Sequence, residues 1–215
     1  MPGRLYEATG GRFFAAMYDR FMAGTEKAGL ADRRRRLLAN ARGATLELGA
    51  GTGGNLEYYP EAVTELVLTE PSEHMAKRLR AKVSAGGRDA QVILAPAERL
   101  PFEADHFDTV VGTLMFCTAD DPAAVVGEVR RVLRPGGQLL FLEHVRSDKP
   151  NVARWQDRLE KPWGYLAAGC HPNRPTLATI EAAGLQVDDV EHGELPKSPP
   201  IVRPLISGRA TRPQA

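Results

Sequence analysis

The residues with the clearest chemical use lie in one short run, Glu47-Leu48-Gly49-Ala50-Gly51-Thr52-Gly53-Gly54-Asn55, followed by Glu70. Gly49, Gly51 and Gly53 let the chain turn tightly and let a ligand lie against bare backbone. Glu47 precedes the first of these glycines by two residues, and a carboxylate there suits a cationic ammonium group and repels a pyrophosphate. Glu70 is acceptor-only and can serve both hydroxyls of a ribose. Gly49, Gly51 and Gly54 also fit the G-x-G-x-x-G spacing of a nicotinamide loop, with Glu70 as the acid about 20 residues on. Three features oppose that reading. Glu47 carries the wrong charge, the chain has room for one mononucleotide-binding half where dinucleotide enzymes use two, and no second glycine loop or hydride site follows.

A second set of reactive side chains lies further along. His144 ends an apolar strand, at the sheet edge where α/β proteins keep their chemistry, and an ordinary pKa near 6.5 suits a general base; a structural histidine is the alternative. Cys117 reads as a buried core residue rather than a nucleophile. His171 follows Cys170 in a loop and is a further candidate lining residue. Trp155, Trp163 and Tyr165 either shape an acceptor pocket or pack a helical insertion. Two cysteines are too few for a disulfide framework or a zinc site, so no metal site is expected.

These groups need elements to hold them. Short apolar strands are predicted over 45–48, 65–69, 91–94, 107–112 and 138–143, with helices over 72–83 and 122–133 between them. Near-continuous apolar strands separated by helices indicate a parallel sheet covered on both faces, a doubly wound α/β domain. Pro122 is tolerated at a helix start, and Pro135-Gly136-Gly137 stops that helix. Beyond residue 150 the pattern changes to a helical insertion over 151–169, a helix over 176–183 and two strands over 185–190 and 202–208. A reversed final strand makes the sheet mixed, and the tail after Gly208 is expected to fray. Before the sheet, Phe13, Phe14, Met17, Tyr18, Phe21 and Met22 recur at helical spacing as one apolar stripe. A second helix over 32–41 takes Asp32 as its N-cap, and its Arg33–Arg36 run reads as a solvated face, with a phosphate or lipid headgroup contact as the alternative.

Composition excludes several classes. The chain has 215 residues and a formal net charge of +1, so one domain is the simplest division and no global field draws it to nucleic acid. The opening Met-Pro-Gly-Arg-Leu-Tyr-Glu lacks a signal-peptide core, and no apolar run approaches the roughly 20 residues that span a bilayer. Cysteine usage fits a reducing cytosol, and the expected location is cytoplasmic.

Several motifs then fall in order over residues 44–145. Leu46-Glu47-Leu48-Gly49-Ala50-Gly51-Thr52-Gly53 resembles motif I of the class I S-adenosylmethionine-dependent methyltransferases. Glu70-Pro71-Ser72 resembles their acidic residue ending the second strand, and Ala95–Phe102 their adenine-side loop, ending Leu-Pro-Phe. Phe107-Asp108-Thr109-Val110-Val111 and Leu133-Arg134-Pro135-Gly136-Gly137 are similar to the stretches on the fourth strand and entering the fifth. Within the family the chain resembles the ubiquinone/menaquinone-biosynthesis branch and, in it, the thiol methyltransferases. That similarity rests on Gly53-Gly54-Asn55-Leu56-Glu57-Tyr58-Tyr59-Pro60, on 128–137 and on Glu143-His144-Val145. Those relatives carry a hydrophobic N-terminal anchor that is not seen here.

The resemblance implies a Rossmann-like seven-stranded mixed sheet with a reversed last strand and an N-terminal helical lid, and S-adenosylmethionine as cofactor. It implies that Gly49, Gly51 and Gly53 take the methionine part of the cofactor, Glu47 the amino group, and Glu70 with Pro71 the ribose, while Tyr18 either contacts the carboxylate or only packs its helix. Met75 covers the ribose or adenine edge, or fills the core. Ala97 borders the adenine, and either Glu98 or a backbone carbonyl replaces the aspartate that many relatives have where this chain has Pro96. Asn55, Thr113 and Leu114 complete the cofactor set, Asn55 being alternatively a helix-turn residue. The loop Gly112-Thr113-Leu114-Met115-Phe116 is not the Asn/Asp-Pro-Pro-Tyr/Phe motif of enzymes that methylate an amide or exocyclic amine and lacks the acids of metal-dependent catechol-type enzymes. Its apolar residues imply a small-molecule acceptor such as a thiol or phenol. The expected organisation is a lid over 1–43 and a cofactor-binding domain over 44–215, with the insertion around 150–172. The alternatives are a phospholipid amine N-methyltransferase, which would touch a membrane surface, and a non-catalytic cofactor-binding module.

Overall fold

The computed structural model describes residues 12–86 and 88–214, with side chains from residue 15 onward. The side chains of Phe13 and Phe14 therefore lie outside the described residues. The described chain begins with helix α1 (Arg12–Thr25) and a wide turn over Glu26–Leu30, kinked where Gly29 takes φ +128°. Helix α2 (Ala31–Leu38) follows directly. Asp32 is not its N-cap: Leu30 arrives in helical conformation and the Ala31 N–H is already served by the Glu26 carbonyl. The α1 stripe is also only partly buried, with Ala15 covered and Phe21 pointing outward at 62% exposure.

The sheet alternates as the sequence predicts. Strand β1 (Gly43–Leu48) leads to β2 (Val63–Thr69), helix α3 (Glu73–Gly86), β3 (Gln91–Ile93) and β4 (Phe107–Thr113). Helix α4 (Pro122–Val132) starts at an Asp121 cap, whose carboxylate accepts the Ala123 and Ala124 N–H groups with Pro122 behind it. Strand β5 (Leu133–His144) absorbs the Pro135-Gly136-Gly137 turn into its own start. Helices α5 (Pro150–Leu166) and α6 (Thr176–Ala182) precede the last two strands, β6 (Gln186–Glu194) and β7 (Pro204–Thr211).

The seven strands lie in the order β3-β2-β1-β4-β5-β7-β6. β1 to β5 are parallel, and β7 runs antiparallel to both β5 and β6. This is the mixed, doubly wound sheet expected, with the last strand reversed between two neighbours. One face packs on α4 and α6 through Leu46, Val110, Val126 and Ile180. The other packs on α2 and α3 through Leu38, Leu79, Val111 and Leu140. Each such side chain contributes about 1.5–3 kcal/mol when fully buried.

The stretch after Gly208 is not frayed as far as Arg212. Gly136 donates its N–H to the Arg212 carbonyl and Arg212 returns one to the Gly137 carbonyl, both at 2.9 Å. The Arg212 guanidinium also caps the Arg130 carbonyl at 3.0 Å. A terminal strand inserted into a sheet gains two ladders, which outweigh the local tendency of a tail to open.

Candidate functional site

The period of two along β1 decides what the glycine loop can do. Leu46 and Leu48 enter one core, and Glu47 points to the opposite face at 2% exposure. Its carboxylate accepts the Asn55 side-chain amide at 2.9 Å and the Tyr59 hydroxyl at 2.7 Å. Burial, more than any neighbour, raises its pKa to about 7; Tyr59, Arg34 and Asn55 pull the other way.

The loop itself needs glycine. Gly49, Gly51 and Gly53 have φ of +58°, +57° and +82°, a region costly for other residues. At Gly53 a Cβ would meet Leu56 and Leu79, whereas at Gly51 nothing lies within 4 Å, so the turn opens onto free space. Glu70 ends β2 at 6% exposure. It accepts the Gly51 N–H at 2.8 Å through Oε2 and the Ser72 N–H at 2.9 Å through Oε1. Glu70 thus holds the Gly51 turn from one side, and Glu47 lies on the strand that enters it. A ligand with a cationic end and a vicinal diol matches that donor and acceptor pattern.

The other expected residues divide. Met75 is buried at the start of α3 and Pro71 is exposed beside Glu70. Ala97 is buried in a loop tied down by two α4 side chains: Glu128 accepts the Leu100 N–H at 2.7 Å, and Arg131 donates to the Phe102 carbonyl at 2.7 Å. Glu98 accepts the Asp120 N–H at 3.0 Å, so that carboxylate oxygen joins two loops. Leu114 takes φ +54° at the end of β4, and Met115 lies directly against Gly49, where a Cβ would approach it to 3.0 Å. Asp19 of α1 accepts the Thr52 hydroxyl, which fixes α1 beside the glycine loop. One residue earlier, Tyr18 has its pKa pushed up to about 12, by burial first, with Arg34, Cys117, Glu26 and Glu70 as the charged neighbours.

Arg34 corrects the reading of the arginine run. It is 5% exposed and not part of a solvated face. Its Nη1 donates to Asn55 Oδ1 at 2.8 Å and Thr113 Oγ1 at 2.9 Å, and its Nε to Glu26 at 3.1 Å. Asn55 Nδ2 also donates to Thr113 Oγ1 at 3.0 Å. Asn55 and Thr113 are therefore spent on one another, on Arg34 and on Glu47. The signal for Arg34 was present: Leu30, Arg34, Leu37 and Leu38 share a helical face, and three of the four are apolar. Tyr59 had no such signal.

His144 ends β5 as expected. Its place follows from register: Leu142 pairs with Thr113, and His144 is one pleat further on the same face. Its Nε2 lies 3.1 Å from Cys170 Sγ, while Nδ1 is buried without a hydrogen-bond partner. Burial alone would lower its pKa, but the Cys170 hydrogen bond and the charges of Cys170 and Glu143 outweigh that and raise it. The neighbouring Glu143 points to the other face, accepts the Met115 and Phe116 N–H groups at 2.7 and 3.0 Å, and is raised to about 7 by burial. Trp163 donates its indole N–H to Cys170 Sγ at 3.2 Å. Trp155 and Tyr165 point outward, at 54% and 86% exposure. His171 pairs with Glu160 at 2.8 Å. The link from His144 to Cys170 and Trp163 carries no short-range sequence signal.

Comparison with known proteins supplies a family context. A model of the methyltransferase domain matches residues 46–141. Human thiol S-methyltransferase TMT1B is 37% identical over 179 residues, covering 81% of this chain and 72% of that protein. Human thiol S-methyltransferase TMT1A is 32% identical over 196 residues, covering 85% and 80%. Among solved structures, a SAM-dependent methyltransferase from Thermotoga maritima superposes with a TM-score of 0.70 at 19% identity, covering 99% of this chain and all of that one.

Proposed function

Because this chain belongs to the class I S-adenosylmethionine-dependent methyltransferases, we propose that it methylates a small soft nucleophile, a thiol before a phenol. S-adenosylmethionine is its cofactor. When bound, that cofactor supplies a methyl group already activated by the sulfonium charge. The protein then has to place a lone pair behind the methyl and keep water out, and placement of this kind is worth roughly 7–11 kcal/mol.

In this reading the backbone at Gly49, Gly51 and Gly53 carries the methionine part, and Tyr18 faces its carboxylate. Glu47 takes the ammonium, directly or through water; a buried carboxyl with a pKa near 7 gains its charge when a cation arrives beside it. Glu70 and Pro71 hold the ribose, with Met75, Ala97 and Glu98 on the adenine side. Asn55 and Thr113 act by orienting Glu47, and Leu114 borders the reacting end. Helices α1 and α2 serve as the lid over the site, and the insertion around 150–172 forms its far wall.

One observation carries the acceptor class. The turn after β4 carries the half-buried Leu114 and Met115, which packs against Gly49 itself, while Phe116 is fully buried in the core beneath them. An apolar wall at the reacting end favours a weakly hydrated nucleophile. The thiol S-methyltransferase relatives act in the same sense. A thiol, with an ordinary pKa near 8.5, ionises without much help. The proton-acceptor role expected of His144 is indirect here, since Nε2 faces Cys170 and not open space. The test is a labelled-methyl screen of the purified protein against thiols, phenols, quinones and amines, with mass detection of the product. S-methyl product is expected. Turnover confined to amines, or cofactor binding with no turnover on any acceptor, overturns the proposal.

One feature favours a second reading, methylation of a phospholipid amine. Trp155, Tyr165 and Leu166 are exposed on α5 near Arg154 and Arg158, an aromatic and basic face suited to a headgroup layer. Methyl label on vesicle phosphatidylethanolamine, with co-sedimentation lost in Trp155→Ala, establishes that reading in place of the first.

A further inference from the structure

We propose that Cys117, His144 and Cys170 form a zinc site at the C-terminal edge of the sheet, with three protein ligands and a fourth position left for an incoming thiolate. One donor atom from each residue lies within 4.8 Å of the other two. All three are buried, at 2%, 5% and 7% exposure, and both cysteines are free thiols. Two cysteines alone are too few for a zinc site; the fold supplies the third ligand from the end of β5.

Three distant parts of the chain are brought to this point by specific backbone features. Cys117 sits in a turn closed by the Thr118 N–H on the Met115 carbonyl. Cys170 follows two successive left-handed residues, Ala168 at φ +53° and Gly169 at φ +86°. A non-glycine residue there is strained, by roughly 1–2 kcal/mol. The His171 N–H then donates to the Cys117 carbonyl at 2.8 Å and joins the two cysteine loops.

The donor chemistry is that of zinc. Two thiolates and an imidazole are a recurrent three-ligand set for a tetrahedral zinc with an open fourth position. The Trp163 N–H on Cys170 Sγ is the outer-shell hydrogen bond that orients such a ligand. His144 presents Nε2 to Cys170 Sγ at 3.1 Å, so this nitrogen and the two sulfurs are the donors that converge. A divalent cation held there takes both sulfurs as thiolates, and their protons leave to solvent as the metal binds.

The cluster borders the proposed methyl-transfer site. Cys117 follows the Leu114–Phe116 turn, and His144 is one pleat beyond Thr113. The open fourth position would bind the acceptor as its thiolate, its proton also passing to solvent. That clause rests on the thiol reading above, whereas the metal site does not.

The test uses the full chain, stripped by chelation and reduced. Zinc affinity is measured by competition with a chromophoric chelator, and cobalt(II) serves as the spectroscopic probe. One equivalent should bind per chain, with thiolate-to-cobalt charge transfer and tetrahedral d–d bands. Cys117→Ser, Cys170→Ser and His144→Ala should each lose the binding. Trp163→Phe should keep the spectrum and weaken affinity about 10–100-fold. No charge-transfer band, equal binding by Cys170→Ser, or a Cys117–Cys170 disulfide in the freshly purified protein overturns the site. A small thiol should shift the cobalt bands; an unchanged spectrum overturns the open-position clause alone. A protein that binds the metal but methylates no thiol refutes the proposed function and leaves the site standing.

Discussion

Replacing Arg34 with methionine tests how the site is held together. Methionine keeps most of the buried stem and removes the guanidinium. Two fully buried donations are lost, to Asn55 at 2.8 Å and Thr113 at 2.9 Å, together with the half-buried bond to Glu26 at 3.1 Å. Hydrogen bonds to a charged group are worth about 1.5–3 kcal/mol each, so the two buried ones set a gross loss of about 3–6 kcal/mol. Relief of the buried charge, and the Asn55–Thr113 bond that remains, return part of this. The expected net loss is about 2–4 kcal/mol, or about 4–16 °C in Tm for a domain of this size. The exposed Arg36→Met serves as control and should change stability by no more than about 0.5 kcal/mol. Arg34 also lowers the Glu47 pKa, so its removal leaves less Glu47 ionised at neutral pH and weakens cofactor binding. The assays are urea denaturation and calorimetric titration with S-adenosylmethionine. Equal effects from Arg34→Met and Arg36→Met in both would refute the network.

Two further outcomes follow from the buried carboxylates. Glu70→Ala removes the acceptor of the Gly51 N–H and the proposed ribose contact, and should weaken cofactor binding at least about tenfold while the domain still folds; an unchanged Kd rejects the assignment. Burial raises Glu47 from 4.5 to about 7, which favours the protonated carboxyl in the folded state. Its stabilising contribution is therefore complete below about pH 4.5 and is lost as pH rises through 7. Without cofactor, the stability of the wild type relative to Glu47→Gln should fall by about 3 kcal/mol between pH 4.5 and 8, and a flat or rising difference contradicts the shift.

Much of this protein was legible in the sequence because the deciding forces there are local. Gly49, Gly51 and Gly53 are needed wherever a turn takes positive φ, and their spacing says so without a fold. Asp121 and Pro122 mark a helix start through contacts within three residues. The alternation in β1 that separates Leu46 and Leu48 from Glu47 is a property of any extended chain. Tertiary structure decided what depends on partners far along the chain. Arg34 is buried because α2 lies over the face carrying Asn55 and Thr113, 21 and 79 residues away. The tail past Gly208 is ordered because β7 enters between β5 and β6, where two ladders hold it. Cys117, His144 and Cys170 meet because a parallel crossover, a long helix and a left-handed turn end at one sheet edge. None of the three carries a mark of the other two, since side-chain chemistry acts over a few ångströms and only the fold sets which residues come that close.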